Sequence, residues 1–237
     1  MPILAVLSLL SSAIAPGAAL LAYFYWKDRY DAEPFPKVFL MFILGAVAVL
    51  PAVFFQHGLQ SFTGESTLAF SFISTSLVEE SLKWIILMAI IYNHKVFDEP
   101  YDGIVYAVSV SLGFATVENI LYAWYTQNTF SAMLYRAFLP VSGHALFGVM
   151  MGYYLGKAKF TSNKTKYIGY SLILPIVWHG LFDYILLSSA KYWAWFILPF
   201  MAVLWIRGLR KVHTANSRSP FRWLKRDEEV KLEEIRP

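Results

Sequence analysis

The chain contains no cysteine, which excludes a disulfide framework, thiolate catalysis and iron–sulfur clusters. It also has no glycine-rich phosphate cradle, no Gly-x-Ser-x-Gly, no His-Glu-x-x-His and no internal repeat, so the function classes those motifs mark are without support. Charge is scarce as well. Only 15% of the 237 residues are Asp, Glu, Lys or Arg, against 57% hydrophobic residues and a mean hydropathy of +0.49. A water-soluble domain of this length could not hide that much apolar surface. No nucleic-acid motif accompanies the basic residues, so nucleic acid is not an expected partner.

What the chain does have is a succession of apolar runs, which predicts an all-α, polytopic membrane helix bundle of about seven transmembrane helices. The expected spans are Ile3–Tyr25, Val38–Gln56, Leu68–Tyr92, Asp102–Trp124, Ala132–Gly156, Tyr167–Leu187 and Tyr192–Ile206. Crossing about 30 Å of hydrocarbon takes roughly 20 residues at about 1.5 Å each. The first run lacks a basic leader and is too long for a signal peptide, so it reads as a retained helix. Because the last is short and separated from the sixth only by Ser188–Lys191, six spans plus an interfacial helix is the alternative. Loop charge favours seven. Of 20 lysines and arginines, 17 lie after spans one, three and five or in the tail, which predicts an outside N-terminus and a cytoplasmic C-terminus. Residues 1–206 then form the transmembrane domain, and 207–237 a basic cytoplasmic tail suited to anchoring on anionic lipid.

Ionisable residues inside apolar spans are costly, about 2.5–3.5 kcal/mol each at a helix centre, and mark functional sites. Span three carries Glu79, Glu80 and Lys83, span four Glu118, span five His144, and span six His179 and Asp183. Counted from the outer ends, Glu79 lies about 17 Å deep, Glu118 about 9 Å, His144 about 18 Å and His179 about 12 Å. Four helices thus bring acid and imidazole groups to similar depths. Either glutamate can share a face with Lys83, and the two glutamates point about 100° apart, so one suits the chemistry and the other an orienting contact. His179 and Asp183, four apart, allow the carboxylate to set the ring's tautomer. Glu118, nearest the surface, serves equally as a supporting group. Gly143 and Gly148, flanking His144, read as packing residues. The loops hold His57 and His94, and Arg136 lies near the outer end of span five.

This pattern predicts a hydrolase in which Glu79 or Glu80, with His179 or His144, activates water while the other histidine and its neighbours stabilise the oxyanion. Lys83 and Asp183 support them. A metal-free glutamate-type site and a zinc site are both open, with Glu79, Glu118, His144 and His179 as the candidate ligands. A proton- or cation-coupled transporter is the rival from another class, and a haem protein with His144 and His179 as axial ligands is a third reading.

In order, Glu79-Glu80-x-x-Lys83, Phe114-x-x-x-Glu118, His144-x-x-x-Gly148 and His179-x-x-x-Asp183 resemble the PrsW family of intramembrane proteases. The stretch Trp26–Pro34 is similar to that family's first cytoplasmic loop. More distantly, the pattern resembles the CAAX prenyl endopeptidase and Abi superfamily, although Glu118 stands where that superfamily usually has a histidine. The resemblance implies a multi-pass enzyme of the bacterial plasma membrane. It would make the site-1 cut in a single-span anti-sigma factor and so release an extracytoplasmic-function sigma factor under envelope stress.

Overall fold

A computed structural model of the chain describes residues 3–126, 135–188 and 192–222, the side chains of a few N-terminal residues and Thr126 excepted. Among these, all regular structure is helical. In chain order the helices are α1 (Ile3–Trp26), α2 (Phe35–Thr63), α3 (Val78–Ile90), α4 (Asp102–Thr126), α5 (Ser142–Lys159), α6 (Lys164–Ser188) and α7 (Trp193–Asn216). A helical turn at Thr67–Ala69 and a π-helical stretch, Phe70–Leu77, lead without a break into α3. A second π segment, Ala137–Val141, leads into α5 and contains Pro140. The expected start of span five at Ala132, most of the turn Ser188–Lys191, and the tail beyond Arg222 lie outside the described residues.

Among the described residues, five helical segments are long and apolar enough to cross a membrane: Phe35–Thr63, Asp102–Tyr125, Ala137–Lys159, Lys164–Ser188 and Trp193–Asn216. Two boundaries depart from the sequence reading. Helix α2 runs on to Thr63 and places His57 on an exposed helical face rather than in a loop, because the apolar run stops at Gln56 while the backbone bonding does not. Helix α7 continues ten residues past Ile206, since nothing between Arg207 and Asn216 breaks a helix apart from the tolerated Gly208.

Burial separates the centre from the rim. In α4 and in the segment containing α5, 78% of the apolar window is buried, against 33% in α2, 28% in α6 and 22% in α7. Helices α4 and α5 are therefore the axis, and the outer helices turn large apolar side chains such as Phe54, Leu50 and Trp195 outward. Between apolar side chains in lipid there is little hydrophobic drive, so such an axis needs close backbone packing. Glycine supplies it. A Cβ on Gly45 of α2 would lie 2.0 Å from the Val110 carbonyl oxygen of α4, and one on Gly152 of α5 would lie 2.0 Å from that of Gly103. Gly148 is packed against Ser111 and Ala107, whereas a Cβ at Gly143 would meet only ordinary contacts.

Introducing a side chain at the α2–α4 crossing should force the helices apart. Gly45→Val is expected to lower stability by about 1–3 kcal/mol, read as a drop in the unfolding midpoint of the micelle-solubilised protein. Gly58→Ala, on the same helix with nothing within 4 Å, should leave it unchanged or raise it slightly.

Candidate active site

The two π segments stand directly before the residues that matter: Phe70–Leu77 precedes Glu79 and Glu80, and Ala137–Val141 precedes His144. An i→i+5 turn accommodates an extra residue and changes the phase of everything after it, and such turns concentrate at functional sites. Ser71, Ser74 and Ser76 line the buried side of the first π stretch; Ser71 and Ser76 bond backbone carbonyls, and Ser74 meets Thr63. That local bonding suits a widened turn better than a regular helix.

From these helices the ionisable groups converge. The buried Lys83 ammonium donates to Glu80 Oε1 at 2.7 Å and Glu79 Oε2 at 3.3 Å, and lies 3.1 Å from His144 Nδ1. It also sits 4.2 Å from the centroid of the Phe114 ring. An ammonium has no acceptor, so His144 Nδ1 must accept, and its Nε2–H then donates to Glu118 Oε2 at 2.8 Å. His179 Nδ1 meets Glu80 Oε1 at 3.0 Å, and its Nε2 lies 3.5 Å from Asp183 Oδ2. The imidazoles meet edge to face at 5.0 Å, and Phe147 stacks on His179 at 4.9 Å. All five ion pairs found among the described residues lie in this one cluster.

The two rings follow one rule. Each has its Nε2 side toward a partly exposed carboxylate, Glu118 or Asp183, and its Nδ1 side toward the Glu80–Lys83 centre. Histidines that hold a metal are usually oriented by a carboxylate on the far nitrogen, as here. One ligand atom each from Glu79, Glu80, His144 and His179 all lie within 4.8 Å of one another. This set differs by one from the four ligand candidates expected from the sequence, with Glu80 inside it and Glu118 standing behind His144. Glu80 Oε2 is buried without a hydrogen-bond partner, and two imidazole nitrogens with two carboxylate oxygens is a donor set that zinc accepts. The residues therefore fit a divalent metal, which would contend with Lys83 for the same carboxylate oxygens.

A cavity opens onto the cluster. It has a volume of about 320 Å³ between α2 and α4 and is lined by Gln56, Glu79, Phe114, Glu118, Tyr122 and Arg136, among others. Glu79 thus faces the opening, while Glu80 is sealed behind it. Two contributors were not singled out in the sequence. Gln56 donates its amide to Glu79 Oε1 at 3.0 Å, and Arg136 donates to Asn119 Oδ1 at 2.7 Å while lying over the Tyr122 ring. A lone amide at the end of an apolar run and an arginine at the outer end of a span were the signals available.

Lys83 supplies the counter-charge to both glutamates. Lys83→Met should cost about 3–5 kcal/mol, because it leaves buried carboxylates unpaired, and adding Glu80→Gln should recover part of that loss. Unfolding midpoints in micelles would measure both.

Comparison with known proteins gives a consistent picture. The profile described as PrsW family intramembrane metalloprotease matches residues 33–207. The chain is similar to "Protease PrsW" of Bacillus subtilis, 50% identical over 213 residues that cover 89% of this chain and 96% of that protein. The protein of the same name from Geobacillus kaustophilus is 48% identical over 211 residues, covering 88% and 92%. That from Clostridioides difficile is 34% identical over 218 residues, covering 87% and 90%. No solved structure matches the chain.

Proposed function

Since the chain belongs to the PrsW family of intramembrane metalloproteases, we propose that it makes the site-1 cut in a membrane-bound, single-span anti-sigma factor, activating an extracytoplasmic-function sigma factor under envelope stress. The enzyme class follows from the family, while the substrate and stress are the reading that the first-loop and four-motif resemblance supports. The transporter and haem alternatives draw no support from relatives that are named as proteases. We take the host membrane to be the bacterial plasma membrane, crossed seven times with the N-terminus outside and residues 207–237 as a cytoplasmic tail. The alternation of basic loops supports that topology.

The observation that carries the mechanism is the contact between a sealed polar cluster and a cavity at which Glu79 alone of the glutamate pair is presented. Glu79 is the general base: its Oε1 is steadied by Gln56, its Oε2 faces Lys83, and it can take a proton from water in the cavity and return it to the leaving amine. Glu80 fixes the His179 ring and neutralises Lys83. Asp183 and Glu118 hold the outer nitrogens of His179 and His144. Glu80, His144 and His179 would hold the metal that the family description implies, which leaves Glu79, the fourth member of the cluster, as the base. When bound, a divalent ion there would supply Lewis acidity for activating water at neutral pH. Phe147 stacks on His179 and packs against Phe182, so buried aromatic rings cover the cluster on the side of α5 and α6. A substrate segment entering between α2 and α4 would meet Glu79 first, with Arg136 at the rim.

Co-expression with a single-span reporter tests this reading. Glu79→Gln should lower cleavage by about 10²–10⁴-fold, and Glu80→Gln and His179→Ala should also lose it, with the protein still inserted. Near-normal cleavage by any of the three removes that residue from the mechanism. Chelation of the purified enzyme should abolish cleavage and added Zn²⁺ restore it, whereas chelator-resistant activity would favour a glutamate-type enzyme.

A further inference from the structure

A second polar cluster lies at the opposite end of α4, about 24 Å along the helix from Glu118. Its members are Asp28 and Glu33, between α1 and α2, Glu99 just before α4, and Asp102 at the first residue of α4. Glu99 and Asp102 are fully buried, at 0% and 1% exposure, and Glu33 nearly so. One carboxylate oxygen each from Asp28, Glu99 and Asp102 lie within 4.8 Å of one another. Unlike the first cluster, this one has no internal cation: among the described residues no lysine or arginine forms an ion pair with any of the four.

The hydrogen bonds at its edges leave specific oxygens over. The backbone amides of Asp98 and Glu99 both donate to Asp102 Oδ2, at 2.7 Å each, and Asp102 Oδ1 has no partner. Ser219, beyond α7, donates to Glu99 Oε2, and Glu99 Oε1 has no partner. Both oxygens of Asp28 are likewise buried without one. The Glu33 carboxylate accepts from Tyr106, and Asn216 donates to the Lys27 carbonyl at 3.2 Å, so the end of α7 closes over the loop that carries Asp28. Buried carboxylates that face one another, Asp28 toward Glu99 and Glu33 toward Asp102, must either share protons or hold something positive among them.

We propose that Asp28, Glu99 and Asp102 form a binding site for a hard divalent cation, Mg²⁺, Mn²⁺ or Ca²⁺, that ties the first interhelical loop and the start of α4 together beneath the end of α7. The donors are all oxygen, the chemistry these ions select, in contrast to the mixed nitrogen and oxygen donors of the proteolytic cluster. Electrostatics agrees with the geometry. Burial, with Glu99 alongside, pushes the Asp28 carboxyl up to about 8, burial pushes Glu33 up to about 8, and it raises Glu99 as well. Burial is the largest cause of each shift, and Lys159 is close enough to Asp102 and Glu33 to act on them electrostatically without forming an ion pair. The site is structural and independent of the proteolytic reading. Its charge requirement also accounts for acidic residues within a loop otherwise marked by Lys27, Arg29 and Lys37.

The test uses full-length protein in neutral detergent, stripped with chelator and titrated with Mn²⁺ by electron paramagnetic resonance. Glu80→Gln serves as the parent, so that the other cluster is disabled. One Mn²⁺ per chain is expected, displaced by Mg²⁺ or Ca²⁺, and the more effective competitor should also raise the unfolding midpoint. Adding Asp28→Asn should weaken Mn²⁺ binding by about tenfold or more and, without cation, should not lower the midpoint, because one repelling charge is gone. Absence of bound Mn²⁺ in the Glu80→Gln protein overturns the proposal. So does unchanged Mn²⁺ affinity after Asp28→Asn, or, if that variant does not fold, after Glu99→Gln.

Discussion

Everything in the cluster of Glu79, Glu80, His144 and His179 is organised by one ammonium group. Lys83 touches both glutamates and His144, and through Glu80 it governs His179, so residues from α3, α5 and α6 share one centre of positive charge. In a low-dielectric interior any of these charges alone would be prohibitive, and together they are tolerable only with near-complete pairing. The requirement propagates outward. The tight glycine crossings of α2 on α4 and of α4 on α5 hold the backbones at the separation at which the short reach of glutamate and histidine is sufficient.

The two ends of α4 solve the same electrostatic problem differently. At one end the carboxylates are balanced by a side chain of the protein, and the histidines are turned inward by acids behind them. At the other, acids from separate segments are gathered with Tyr106 and Ser219 donating at the margins and no basic residue between them. The central helix therefore carries a carboxylate near each end and none between them, and it shares with the segment containing α5 the deepest burial in the bundle.

The class of fold and the main site residues were legible from elementary costs. Glutamate, lysine and histidine inside apolar runs are conspicuous because the membrane penalises them, and depth counting alone brings Glu79, Glu118, His144 and His179 into the central or slightly outer part of the bilayer. What could not be read was which side each group faced. The π turns change helical phase in a way that a regular 100° step does not anticipate, so the division between a buried but cavity-lining Glu79 and a sealed Glu80, and the place of Glu118 behind His144, belong to the packed structure and not to the sequence pattern. Gln56 looked like the end of a span, and His57 like a loop residue, because hydropathy falls before α2 ends. Asp28, Glu33, Glu99 and Asp102 were overlooked for a related reason. Acids in connections between helices are ordinarily solvated, and nothing local reveals that the end of α7 folds back over them.

The widened turns before Glu79 and His144 also bear on how the chain tolerates insertions and deletions. A π segment holds a surplus residue, so losing one position within Phe70–Leu77 can be absorbed by tightening to regular α-helix while the glutamates keep their bearing. The same deletion in the middle of α4 would swing every later side chain by about 100°. Length variation in this architecture is thus cheapest immediately upstream of its most exacting residues, and most destructive in the axial helix that carries no such slack.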